Sequence, residues 1–200
     1  MRGDDHEQAL FASIELSPIA GIVTDPRQPD NPIVAVNAAF ERLTGYPRAE
    51  LLGRNCRLLA GAATEKEATA ALRDAIAERR PALVELLNYR RDGSPFRNAV
   101  MVAPVFDAGG ALVYFIGSQM EAAPQAAAVR AEQARERLGC LTERQRQVLS
   151  RMATGLRNKQ IAAELGLTEK TVKMHRAALL DRIGAATSAD AVRVAVEAEL

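Results

Sequence analysis

The sequence predicts an α+β domain built on an antiparallel five-stranded sheet with flanking helices, followed by an all-α domain of four helices. Three observations predict it. Apolar, β-branched runs separated by turn residues lie within residues 1–121. A new helical periodicity begins near Leu141. Between them lies an Ala/Gln/Glu/Arg-rich stretch, Pro124 to Arg137, with helix propensity but few large apolar side chains for a core. The chain thus divides into residues 1–121, a linking segment at 122–140, and residues 141–200.

Residues 7–16 have a short helical period (Leu10, Phe11, Ile14) that ends at Ser17-Pro18. Residues 19–24 and 33–36 read as strands joined by the loop Asp25-Pro26 to Asn31-Pro32. Asn37 to Leu43 is a short helix closed by Thr44-Gly45, and Pro47 to Leu52 adds a turn of helix stopped by Gly53. Thr64 to Arg80 is a longer helix, with Thr64 as its expected cap and Leu72 and Ile76 on a buried stripe. Three strands follow at Ala82–Tyr89, Pro95–Pro104 and Ala111–Met120, with tight turns at Arg91-Asp92-Gly93-Ser94 and Asp107-Ala108-Gly109-Gly110. The last domain reads as helices Glu143–Thr154, Asn158–Leu165, Glu169–Ile183 and Ser188–Glu199, with Asn158 expected to cap the second and Thr168 to open the third.

Composition narrows the function classes. Two cysteines, Cys56 and Cys140, are too few for a disulfide framework and fit a reducing cytosol. The N-terminus carries acids where a secretory signal is basic and then apolar, and no long apolar run marks a membrane span. With only His6 and His175 and no clustered cysteines, no metal is expected. No nucleophile–base constellation points to an enzyme. The net charge of +1 conceals an asymmetry: −3 over residues 1–121 against +3 over residues 141–200. The basic excess sits where it can meet a polyanion.

The helices at 158–165 and 169–183, joined by Gly166-Leu167-Thr168, form a helix-turn-helix candidate. Ile161, Ala162, Leu165, Leu167 and Val172 set the angle between them, and the third helix presents Lys170, Thr171, Lys173, Met174 and Arg176 toward a major groove. Spacing and charge alone suit an ordinary helical hairpin with solvated lysines equally well. The motif Leu141-Thr142-Glu143-Arg144-Gln145, Val148-Leu149, Gly155, Asn158-Lys159-Gln160-Ile161-Ala162, Leu165, Thr168, Lys170-Thr171-Val172-Lys173, His175 and Leu180 resembles the four-helix output domain of LuxR-type transcription regulators. The resemblance implies duplex DNA binding as a dimer. It places Lys159 and the face from Lys170 to Arg176, His175 included, against DNA, and it pairs two subunits through Ala191, Val192, Val194 and Ala195 of the fourth helix.

In the first domain, Gly53-Arg54-Asn55-Cys56-Arg57-Leu58-Leu59 holds a thiol between an amide and a guanidinium. A neighbouring guanidinium lowers a thiol's expected pKa, which suits a redox-active cysteine; an inert buried cysteine fits the same residues. Asn88, Asn98 and Gln119 lie at strand positions expected to face an internal cavity, walled by Ile22, Leu87, Val100 and Phe115, with Arg57 and Arg73 at its mouth. The Cys56 motif, Asn88-Tyr89-Arg90-Arg91-Asp92-Gly93-Ser94-Pro95-Phe96-Arg97-Asn98, and Phe115-Ile116-Gly117-Ser118-Gln119 resemble the flavin-binding LOV subclass of PAS domains. The usual motif has Phe at the place of Leu58 and Gln at the place of Ala60.

That resemblance implies FMN as cofactor. It makes Cys56 the photoactive cysteine, which forms a reversible bond to flavin C4a under blue light. Asn88 and Asn98 then bond the pyrimidine edge, and Gln119 switches its hydrogen bond near N5. Asn55, Arg57 and Arg73 serve the ribityl-phosphate side. Together the two resemblances imply a cytoplasmic bacterial transcription factor, similar to the LOV–helix-turn-helix regulators. It would be a monomer in the dark, when the sheet covers the last helix, and a homodimer on double-stranded DNA in the light, with no membrane partner. The alternative is a redox- or metabolite-sensing PAS regulator that uses Cys56 or the cavity with the same output.

Overall fold

A computed structural model describes residues 4–122 and 126–200; Pro124 and Gln125, where the linking segment is expected to turn helical, lie outside the described residues. Five strands, β1 (Ala20–Thr24), β2 (Ile33–Val36), β3 (Ala82–Tyr89), β4 (Pro95–Phe106) and β5 (Leu112–Glu121), form one sheet in the order β2-β1-β5-β4-β3. Every neighbouring pair is antiparallel. The helices are α1 (Asp4–Glu15), α2 (Ala38–Thr44), α3 (Arg48–Leu51), α4 (Lys66–Ala77), α5 (Ala126–Gly139), α6 (Glu143–Ala153), α7 (Asn158–Leu165), α8 (Glu169–Arg182) and α9 (Ser188–Glu197). A 3-10 turn spans Cys56–Leu59.

The helix ends show where local chemistry departs from the sequence reading. Thr64 does not cap α4. Its hydroxyl donates to the Leu87 carbonyl at 2.7 Å, and the Glu65 carboxylate accepts from Leu87 N at 2.7 Å. Both side chains serve β3, so the helix starts at Lys66. Asn158 lies inside α7; Arg157 occupies the cap position, and its N–H donates to the Gln160 side chain at 2.8 Å. Thr142, Thr168 and Thr187 each cap a helix by accepting from the backbone three residues on.

Side chains alternate across a strand, so the register sorts residues onto two faces. Leu86 lies opposite Asn98, Asn88 opposite Phe96, Val100 opposite both Val84 and Gln119, and Ile22 opposite Gly117. One face therefore carries Asn88, Asn98, Gln119, Leu86, Phe115 and Ile22. Its apolar residues Ala20 and Ile22 pack with Phe40, Leu51, Leu59 and, more peripherally, Cys56 and Leu58. The other face carries Val23, Met101, Ala103, Tyr114 and Ile116. These join one continuous core with Ile14 of α1, Leu138 of α5, and Val148, Leu149, Val192, Val194 and Ala195 of the last domain. The sheet thus separates a small cluster around Cys56 from a larger core shared between the two domains.

Candidate functional site

Cys56 opens the 3-10 turn because Asn55 caps it. Asn55 Oδ1 accepts from Arg57 N at 3.0 Å, while Nδ2 donates to the Asp30 carbonyl at 2.5 Å. The Arg57 guanidinium reaches the Asp30 carboxylate at 2.5 Å, with both side chains largely exposed. The guanidinium therefore points to the β1–β2 loop and does not serve the thiol. Cys56 is half-buried, its thiol packed against the apolar cluster, and burial pushes it up to about 12. This corrects the expectation of a lowered pKa: loss of hydration around sulfur outweighs the charge on its neighbour.

Across the same side of the sheet, three buried amides form a chain. Asn98 Nδ2 donates to Asn88 Oδ1 at 2.8 Å and to Gln119 Oε1 at 2.7 Å. Asn98 Oδ1 is buried with no hydrogen-bond partner. A buried acceptor left unpaired costs about 1–3 kcal/mol, and native interiors seldom tolerate one without a purpose. Gly117 lies between Phe115 and Gln119 on this face, where a Cβ would stand 2.9 Å from Ile22 Cγ1. Phe115 is buried on this face. Leu87 is not: it pairs with Arg97 on the opposite face, and Leu86 takes the side that carries the amides. A reading of one strand by period two had the right spacing with the phase off by one. Arg73 is exposed on α4.

In the last domain, Lys159, Lys170 and Lys173 are exposed and Met174 is 61% exposed; Thr171 and His175 are half-buried. Arg176 departs from the expected DNA-facing set. It donates to Asn158 Oδ1 at 2.6 Å and Ser188 Oγ at 2.8 Å, and burial lowers its pKa. It braces α8 between α7 and α9, because its position, four residues after buried Val172 and three before buried Leu179, lies on the inward face of the helix.

The residues expected to pair two subunits, Ala191, Val192, Val194 and Ala195, are all buried within this one chain. Helix α9 packs on α5, α6, α1 and strands β3 and β5. Arg193, 2% exposed, lies among them; its Nε donates to Glu197 at 2.7 Å and its Nη1 donates to Ser118 Oγ at 2.9 Å. Burial lowers its pKa and Glu197 opposes that shift. Ser17 Oγ donates to Asp190 at 2.6 Å, and Arg130 of α5 pairs with Glu85 of β3. Sequence reasoning missed this set. The available signal was Arg193 itself, a lone charge in the buried-looking run Ala191-Val192-Arg193-Val194-Ala195. Among the described residues, no three His, Cys, Asp or Glu side chains gather as a metal site, and no helix is long and apolar enough to cross a membrane.

An amide-lined sheet face thus lies beside a single cysteine, and the opposite face of the sheet packs on a domain of four helices. Residues 20–121 match the PAS domain family and residues 139–195 match the luxR family of bacterial regulatory proteins. The chain belongs to the PAS family, with a LOV-type sensor joined to a LuxR-type helix-turn-helix domain. Both families sense or regulate; neither is catalytic. It is 40% identical over 188 residues to blue-light-activated histidine kinase 1 of Erythrobacter litoralis, covering 92% of this chain and 50% of that protein. The chain spans about half or less of the curated relatives it matches. Among solved structures, it is similar to the light state of the blue-light photoreceptor aureochrome 1 LOV domain. That match has 38% identity and a TM-score of 0.54, covering 61% of this chain and 92% of that one. A light-oxygen-voltage domain studied with a flavin analogue matches at 35% identity and a TM-score of 0.57, covering 64% of this chain and 94% of that one.

Proposed function

We propose that this chain is a blue-light-regulated transcription factor whose sensor holds FMN between the amide face and Cys56. The observation that carries the reading is Asn98 Oδ1, buried and unpartnered within a chain of three amides. A flat heterocycle edged with donors and acceptors satisfies that row, and the names of the blue-light relatives supply the class. FMN held there by Asn88, Asn98 and Gln119 would supply a blue-light-absorbing ring within reach of the Cys56 thiol, which would provide both the sulfur and the proton for a reversible addition.

The residues of the chain then act as follows. Burial keeps the Cys56 proton on sulfur in the dark, so the thiol is not spent on other electrophiles. This protonated state also disfavours a peroxide-sensing role, which needs thiolate. Asn88 and Asn98 orient the ring edge. Gln119 gives up its bond from Asn98 and turns its amide when its partner changes from acceptor to donor. Ser118, next along β5, faces the opposite way and accepts from Arg193 of α9. Strain at Gln119 is therefore delivered to the contact that holds α9 against the sheet. Release frees Ala191, Val192, Val194 and Ala195 to pair with a second copy, and Lys159, Lys170, Thr171, Lys173, Met174 and His175 to meet double-stranded DNA. A few kcal/mol of differential stabilisation shifts such a two-state equilibrium by orders of magnitude.

The test is the visible absorption spectrum of purified protein before a blue flash, after it, and through dark recovery, with Cys56→Ala beside it. An oxidised-flavin band that bleaches and returns in the wild type, and does not bleach in the variant, is the expected result. A protein that stays colourless after FMN is supplied rejects the light reading and leaves the output domain to another signal.

A further inference from the structure

The sensor touches the output domain at a second place, remote from α9. Arg157 Nε donates to the carbonyl of Phe106, the last residue of β4, at 2.7 Å. Beside it, Gly155 has φ of 84° and approaches the Pro104 carbonyl so closely that a Cβ would run into it. The end of the β4–β5 hairpin thus sits on the turn between α6 and α7.

That turn borders the basic surface. Lys159 is exposed two residues beyond Arg157. Asn158, between them, accepts from Arg176 at 2.6 Å, which ties the start of α7 to the middle of α8. Helix α8 is the element that exposes Lys170 and Lys173. Among the described residues, Arg157 has no carboxylate partner, and its recorded side-chain bond goes to a neutral carbonyl. A guanidinium held by a neutral carbonyl keeps its charge unbalanced, and its bond to an anionic oxygen would be roughly twice as strong.

We propose that Arg157 is a DNA-phosphate contact which the docked sensor withholds. Its guanidinium exchanges the Phe106 carbonyl for a phosphate oxygen when the domains part. The inference rests on the reading above that the released output domain binds duplex DNA. Docking then opposes binding twice: once by covering α9, and once by engaging a charge at the rim of the DNA surface. Binding and docking compete for one side chain, so DNA itself favours the open form.

The test uses the full chain in the light, a labelled random-sequence duplex and a salt series, with wild type, Arg157→Gln and Arg157→Lys compared. A phosphate contact contributes about one unit to the slope of log affinity against log salt. The expected result is a slope reduced by about one in the Gln variant and restored in the Lys variant, which keeps the point charge. In the dark, amide exchange across α9 should speed up several-fold in the Gln variant, because a docking bond is lost. An unchanged lit slope in the Gln variant overturns the phosphate contact. A reduced slope with unchanged dark exchange overturns the withholding. A lit wild-type protein that binds no duplex at all rejects the functional reading instead.

Discussion

The two faces of one sheet solve opposite problems. On the amide face, three amides bond to one another and still leave Asn98 Oδ1 without a partner. On the opposite face, the charges that reach the interface find partners across it: Arg193 with Ser118, Arg130 with Glu85, and Asp190 with Ser17. The amide face leaves its central acceptor open, while the opposite face meets the last domain through charged contacts in which Arg130 Nε alone of these groups lacks a partner. Strand β5 belongs to both, since Gln119 faces one side and Ser118 the other. That alternation is the shortest physical route between the two faces.

The largest expected effect breaks the satisfied face. Arg193→Met leaves the Glu197 carboxylate, only 11% exposed, without its guanidinium while docked. An uncompensated buried charge costs about 3 kcal/mol or more, and undocking hydrates it. The variant should be open in the dark, with DNA binding close to the lit level and fast amide exchange along α9. Arg193→Met with Glu197→Leu removes both charges and should close the interface again, at least as firmly as the wild type. A single variant that stays docked in the dark would show that Arg193 decorates the interface without holding it.

The extent to which each face was legible in the sequence follows from the range of the signal. Strand positions, turns and the Thr168 cap are local, and they agree with the structure at Ala82–Tyr89 and at Thr168. Asn88, Asn98 and Gln119 could be placed together because similarity supplied the phase that period two lacks. Leu87 shows the limit of the same rule: without a partner strand, nothing fixes which of two adjacent leucines faces inward. The interdomain contacts were not legible. Ser118 and Arg193 are 75 residues apart, and a polar side chain reads as surface until its distant partner is known. Arg176 was misplaced for that reason, and the pull of burial on Cys56 was hidden because the apolar shell comes from Phe40, Leu51 and Ile22 as much as from its own segment.

An intermediate effect sharpens the assignment of faces. Leu86→Ala removes a buried side chain from the amide face and should cost about 2–3 kcal/mol. It should also weaken flavin retention, read as the fraction of protein carrying the visible band after dialysis. Leu87→Ala removes a half-buried side chain from the opposite face and should cost about 1 kcal/mol, with flavin retention unchanged. Equal loss of flavin in both variants would mean that the register does not separate the faces as the strand pairing has it.

The smallest effect concerns the thiol beside the amide face, and its sign carries the information. Burial raises the Cys56 pKa from its ordinary 9.0 to about 12. Above pH 9 the unfolded chain gives up this proton and the folded chain keeps it, so the unfolded state binds fewer protons. Stability contributed by the buried thiol is therefore complete below pH 9 and is lost as pH rises beyond it. Wild type should lose about 1 kcal/mol more than Cys56→Ala between pH 9 and about pH 10, measured by urea unfolding of both proteins. Tyrosine and lysine titrate alike in the two and cancel in the difference. If Arg57 governed the thiol instead, its folded pKa would lie below 9 and the difference would have the opposite sign, with wild type gaining on the variant as pH rises. A positive slope would return Cys56 to the class of activated, oxidisable cysteines and would take from the amide face the dry, protonated sulfur on which the proposed light chemistry depends.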